Sequence, residues 1–276
     1  MPELPEVETV RQGLIQAVLN RKIKDVEIFQ PQLRFPVPVE KLQRDIIGCE
    51  IRSIQRRGKY LILELSNNLS IIVHLGMSGR LFVTSHNSKI DKHDHVIISL
   101  EGGEHLRFRD PRRFGMIDVY PSDDLENHAR LKELGVEPLT SGFEINYCFN
   151  KVKNSQRPIK NMLMDASFVV GLGNIYTSEA LYKAKIHPGR ASNSLIKKHW
   201  KLLIASIQSV LKEAISQGGT TLQDEGFKNV LGSGGMFQLK LKVYGKEGEP
   251  CEICGHPITR LVQQGRSSFL CKICQR

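Results

Sequence analysis

Two stretches of the chain carry residue types and spacings that could do chemistry. The first is the N-terminus, Met1-Pro2-Glu3-Leu4-Pro5-Glu6. A small residue after Met1 favours removal of the initiator, which exposes Pro2 as a free secondary amine. An α-amino group titrates near about 8, against about 10.4 for lysine. Its neutral fraction can attack a carbonyl-type carbon and give an iminium. Glu3 adjoins that amine, and Glu6 follows three residues on, on one helical face. A carboxylate in that place can shuttle protons. The plain alternative is an ordinary helix start, since proline and acidic residues both suit a first turn.

The second stretch is C-terminal. Cys251-x-x-Cys254 and Cys271-x-x-Cys274 are separated by sixteen residues. Two such pairs read as a tetrahedral four-thiolate zinc site, with the intervening residues folded as a hairpin. Four thiolates leave no open coordination position, so the metal should hold a fold and not perform chemistry. Disulfides would need an oxidising compartment, and the N-terminus lacks the basic and apolar regions of a secretory signal. Cys49 and Cys148 stand apart and read as buried small hydrophobes.

These residues need elements to position them. The 276 residues suggest roughly two domains, and 40% hydrophobic with 25% charged residues excludes disorder, collagen and coiled coil. No run reaches the roughly 18 apolar residues of a membrane span. Leu4, Val7, Val10 and Leu14 recur at helical spacing, so residues 1–15 are expected to be helical. Short β-type runs follow at 24–28, 60–65, 69–73, 95–100 and 116–120, as in an antiparallel sandwich or barrel. Residues 121–142, with Pro121, Gly135, Pro138 and Gly142, mark a domain boundary. Helical periods return near 174–181 and from Ile196 to Ile215, the latter ended by Gly218-Gly219. Residues 218–236 are rich in Gly and polar residues and read as a long loop. Lys and Arg total 39 against 29 Asp and Glu, a net charge of +10, which favours a polyanionic partner such as nucleic acid.

Taken in order, the motifs resemble bacterial formamidopyrimidine-DNA glycosylases along the whole chain. They are Met1-Pro2-Glu3-Leu4-Pro5-Glu6, Arg56-Arg57-Gly58-Lys59-Tyr60-Leu61, His74-Leu75-Gly76-Met77-Ser78-Gly79 and Lys92-His93-Asp94-His95. Asp110-Pro111-Arg112-Arg113-Phe114-Gly115, Val170-Gly171-Leu172-Gly173-Asn174-Ile175-Tyr176, Gly218-Gly219-Thr220-Thr221-Leu222 and the cysteine module continue the series. The resemblance implies an α+β chain: an N-terminal β-sandwich flanked by helices (1–130), a helix-two-turn-helix domain (131–244) and a zinc-finger β-hairpin (245–276). Its implied activity is base excision repair as a bifunctional glycosylase and abasic-site lyase. It would remove 8-oxoguanine and formamidopyrimidines from damaged double-stranded DNA lying across the cleft between domains.

Carried residue by residue, Pro2 would form the Schiff base, Glu3 would transfer protons and Glu6 would support it. Lys59 would lie near the lesion's sugar-phosphate, and Arg266, in Gly265-Arg266, would grip phosphates with its planar fork. Met77, Arg112 and Phe114 would fill the gap left by a flipped nucleotide. Arg113, His74, His93 or His95, Lys160 and Asn174 would contact the DNA. Cys251, Cys254, Cys271 and Cys274 would hold one structural Zn²⁺. The enzyme would be a cytoplasmic, nucleoid-associated monomer without membrane contact. One region departs from the family pattern: Asp224-Glu225-Gly226-Phe227 and Leu231 to Phe237 follow Thr221-Leu222 where many members have Asp-Phe. The alternatives are an endonuclease VIII-type enzyme for oxidised pyrimidines, which typically has Gly where Leu4 stands, and a non-catalytic zinc DNA-binding protein.

Overall fold

The computed structural model describes residues 1–221, 227–230 and 232–276, so the departure at 224–226 and 231 lies outside the described residues. The chain divides into two compact units. One comprises residues 1–132 with 217–236, the other residues 133–216 with 237–276.

The first unit opens with helix α1 (Leu4–Val18), whose Leu4, Val7, Val10, Leu14 and Val18 face inward at helical spacing. Strands β1 (Ile23–Ile28), β6 (Asp94–Leu100), β7 (Glu104–Arg109) and β5 (Arg80–Ser85) form one antiparallel sheet in that order. Strands β2 (Ile51–Arg57), β3 (Tyr60–Leu65), β4 (Leu69–His74) and β8 (Met116–Pro121) form the other. Residues from α1, both sheets and Phe227 and Val230 share one apolar core. Those two explain why 217–236 cluster here although they follow the helical segment in the chain.

Three strands escape the sequence pattern for physical reasons. The burial of β2 falls every third residue, at Ile51 and Ile54, and looks helical. In β7 the alternation is broken by Arg107, which is 1% exposed. Its guanidinium meets Asp94 at 3.3 Å, and Arg109 meets the same carboxylate at 2.6 Å. A buried charge is tolerated only with such partners. β5 is half-buried and gives little contrast.

The second unit holds α2 (Ile145–Val152), α3 (Ile159–Leu163), α4 (Asn174–Lys183), α5 (Lys197–Ser216) and the hairpin β9 (Thr259–Gln263) and β10 (Arg266–Leu270). Trp200 of α5 is fully buried, with the Phe168 ring 6.0 Å away. Glu179 on α4 is also buried, and its carboxylate accepts the backbone N–H groups of Lys242, Val243 and Tyr244. Burial pushes its carboxyl up, and those three donors work against the shift. The chain leading into the cysteine module is thereby fastened to α4. No helix among the described residues is long and apolar enough to cross a membrane.

Candidate functional site

At the N-terminus, Pro2, Glu3 and Glu6 are all buried. Glu3 is the N-cap of α1, and its N–H donates to Glu6 Oε2 at 2.8 Å. The other oxygen of Glu6 accepts the N–H of Thr220 at 2.7 Å. Both acidic side chains are therefore buried at the helix start, where the dipole favours negative charge.

Lys59 stands in the two-residue turn between β2 and β3, flanked by the paired Arg57 and Tyr60. That turn is tied back to α1. Arg56 donates to Gly58 O at 3.0 Å and to Glu8 Oε2 at 3.0 Å. Burial opposes the Glu8 charge, yet hydrogen bonds from Arg11 and Arg56 hold its carboxyl below the usual range. The helix that carries the N-terminus and the turn that carries Lys59 thus share one ion-paired brace.

His74 ends β4, and its ring lies 4.8 Å from Tyr60. Its Nδ1 accepts the N–H of Gly76 at 3.0 Å, so Nε2 carries the proton. Burial, with Lys59 and Arg34 nearby, pulls its pKa from 6.5 down to about 4. His74 is therefore a neutral donor at pH 7. The unfolded chain binds a proton below 6.5 that the folded protein refuses until about 4, so stability falls as pH drops through that window. The loss amounts to roughly 3 kcal/mol, and His74→Gln is expected to remove it, as denaturation midpoints at the two ends of the window would report.

Met77, Arg112 and Phe114 stand on two interlocked loops. Met77 and Phe114 are 41% and 43% exposed, so both side chains are open to a partner. Gly76 has φ +64°, and a Cβ there would meet the Phe114 carbonyl carbon at 2.5 Å, so only glycine lets the loops approach. Asp110, fully buried, organises both. It accepts from Ser78 Oγ at 2.6 Å and from Gly115 N at 2.7 Å, and its carbonyl meets His95 Nε2 at 2.8 Å. Arg112 N donates to Ser78 Oγ, and its guanidinium lies 4.9 Å from the Phe114 ring. Arg113 is exposed with φ +55°, and the rings of His93 and His95 are 6.3 Å apart.

In the second unit, Gly173 caps α4 and Asn174 is its first residue; the Asn174 Oδ1 is buried with no hydrogen-bond partner among the described residues. Arg266 is exposed beside the Gln264-Gly265 turn of the hairpin. Lys160 is 2% exposed. Its ammonium donates to Ser267 O at 2.6 Å and to Ser268 Oγ at 2.7 Å, directly after Arg266. Ser268 Oγ in turn donates to Gln263 Oε1 at 2.5 Å. Lys160, Gln263 and Arg266 line a cavity of about 220 Å³ together with Arg157, Asn161, Met164 and Gln264. A lysine that touched phosphate would contribute about 0.9 to the slope of log affinity against log salt. Lys160→Met is expected to weaken DNA binding while leaving that slope unchanged, because its ammonium serves the hairpin.

The four cysteine sulfurs lie within 4.8 Å of one another. Cys251 and Cys274 are 3.9 Å apart, and Cys254 and Cys271 are 3.4 Å apart. Tetrahedral zinc with bonds of about 2.3 Å sets sulfurs about 3.8 Å apart, so the cluster fits zinc. The Tyr182 hydroxyl lies 3.2 Å from Cys251 Sγ, and the Gln275 side chain joins Cys271 N to Ile186 O. Sequence reasoning missed these supports, and also Asp110, Ser78 and Thr220. All three lay inside the quoted motifs, but Asp110 and Ser78 meet each other across 32 residues and Thr220 meets Glu6 across 214.

The second unit thus joins the glycine-capped α4 to a four-thiolate hairpin, and the first unit is built on two four-stranded sheets. Residues 1–117 match the formamidopyrimidine-DNA glycosylase N-terminal domain, 134–225 that family's H2TH domain, and 248–276 the zinc finger found in FPG and IleRS. Curated formamidopyrimidine-DNA glycosylases of Rickettsia africae and Thioalkalivibrio sulfidiphilus are 44% and 43% identical; the alignments cover all of this chain and 99% and 100% of theirs. Solved structures agree. Lactococcus lactis Fpg in complex with abasic-site DNA superimposes with a TM-score of 0.92 at 36% identity, covering 99% of both chains. The Thermus thermophilus protein gives 0.89 at 36% identity over 99% of this chain and 98% of that one. The chain belongs to the formamidopyrimidine-DNA glycosylase family, whose members are DNA repair glycosylases and abasic-site lyases.

Proposed function

We propose that the protein excises oxidised purines, 8-oxoguanine and formamidopyrimidines, from duplex DNA and then cuts the strand. The observation that carries this reading is the buried Glu3–Glu6 arrangement at a processable N-terminal proline. The Pro2 nitrogen attacks C1′ of the damaged nucleotide, and the glycosidic electron pair leaves with the base. Glu3 serves the proton transfers that this exchange needs. The amine loses its proton, the sugar ring opens as the C1′–O4′ bond breaks and O4′ takes a proton, and the resulting iminium makes the 2′-proton acidic. Its loss expels the 3′-phosphate, and a second elimination expels the 5′-phosphate.

Lys59, on the turn that the Arg56 brace ties to α1, neutralises the sugar-phosphate. Met77, Phe114 and Arg112 enter the duplex, the apolar pair offsetting lost stacking and the arginine donating to the orphaned base. Glu6 supports Glu3 beside the amine. His74, His93, Arg113, Lys160 and Asn174 support the same DNA complex, and Arg266 grips phosphate. One zinc, held by Cys251, Cys254, Cys271 and Cys274, stabilises the hairpin that presents Arg266. The protein acts as a monomer in the cytoplasm, on nucleoid DNA. Parallel assays on 8-oxoguanine and thymine glycol duplexes test the substrate class. Faster release of 8-oxoguanine is expected; faster release of thymine glycol would move the assignment to the pyrimidine-directed branch.

A further inference from the structure

Glu6 is 2% exposed and uses its two oxygens in opposite directions along the chain. One accepts the N–H of Glu3, a single peptide from Pro2, at 2.8 Å. The other accepts the N–H of Thr220, 214 residues later, at 2.7 Å. The two N–H groups meet different oxygens, an arrangement that a carboxylate supplies and an amide, with one acceptor oxygen, does not. The later segment also lies flat against the Glu6 side chain. Gly219 has φ +81°, and a Cβ there would stand 2.8 Å from Glu6 Oε1 and 3.1 Å from its Cγ. Neither that backbone conformation nor that space accepts a side chain.

Gly219 and Thr220 form the stem of the 217–236 loop. Met236 N donates to Gln217 O at 2.9 Å, and Thr220 and Met236 form an antiparallel bridge. Gly235 N donates to Thr221 Oγ1, which donates to Phe227 O. Phe227 and Val230 are then buried in the first unit's core, with Val230 against Gly13 of α1. The stem is therefore held on both sides, and Glu6 is its link to the N-terminal residues.

We propose that Glu6 is a positioning residue through which the stem of this loop sets the Glu3 backbone and, with it, the Pro2 amine. The inference rests on Pro2 being the nucleophile. It assigns the loop stem a role that needs no damaged base. A strained stem displaces the amine even on a preformed abasic site, where nothing remains for a loop to recognise. Small displacements of a nucleophile are costly, up to about a hundredfold for 1 Å.

The test uses full-length processed protein carrying Gly219→Ala or Glu6→Gln. Borohydride trapping at a preformed abasic site is timed beside release of 8-oxoguanine and equilibrium binding to the same duplexes. Thermal midpoints and zinc content report folding. Both variants are expected to trap the abasic site roughly tenfold more slowly with binding little changed, and the double variant to be no slower than the slower single one. If Gly219→Ala does not fold, the same readouts on Glu6→Gln carry the test. Trapping at the parent rate while only base release slows would overturn the coupling, as would multiplying effects in the double variant. No adduct from the parent protein would instead overturn the nucleophile assignment, a distinguishable failure.

Discussion

Protein that retains Met1, or carries one extra residue before Pro2, is expected to lose strand cleavage by more than about 10³-fold while still binding duplex DNA. The reason lies in one nitrogen. Once acylated, Pro2 has an amide nitrogen whose lone pair is delocalised into the carbonyl, and it cannot attack C1′. Pro2 and Glu3 are both buried at the start of α1, so an added residue also has to be accommodated in a packed site. The phosphate contacts depend on other residues, so affinity and its salt dependence should survive. Intact mass defines the N-terminus, and gel assays on an abasic duplex give the rate. Cleavage at the parent rate by the blocked protein would remove Pro2 from the chemistry.

Removing zinc is expected to have the second largest effect. The cysteine module has a thin core: Val243, Ile258 and the cysteines themselves pack with Tyr182. So little apolar burial cannot fold a segment of this size alone, and metal binding supplies what is missing, of order 10 kcal/mol for such sites. Cys254→Ser, or a strong chelator, should release one zinc per chain and melt β9 and β10. Arg266 loses its mounting, and DNA affinity should fall about a hundredfold or more. The apolar core shared by α1 and the two sheets lies in the first unit, so most of the secondary structure should persist in circular dichroism. A metal-free protein that binds DNA at the parent affinity would contradict this account.

Legibility in the sequence followed the distance between interacting residues. The cysteine pairs and the Glu3–Glu6 spacing are local, and the structure places each group as its spacing implies. The long amphipathic helix was legible from Ile196 to Ile215 because α5 buries a continuous stripe. The partners of those groups were not legible. Thr220 reaches Glu6 across 214 residues, and Lys160 reaches Ser267 and Ser268 across more than a hundred. Arg107 reads as a surface residue until Asp94 is seen beside it. The Lys160 ammonium, on a residue expected near the DNA, also donates to the hairpin, a partnership its motif does not reveal. Periodicity reports which face is buried; it cannot report which buried polar group meets which.

The central claim is that the N-terminal amine performs the chemistry, and covalent trapping tests it most directly. Processed protein is incubated with an 8-oxoguanine duplex and borohydride, digested, and the modified peptide sequenced by mass spectrometry. One adduct per active chain is expected, attached at the nitrogen of Pro2. An adduct at a lysine such as Lys59, or no adduct from protein that still releases the base, would contradict it.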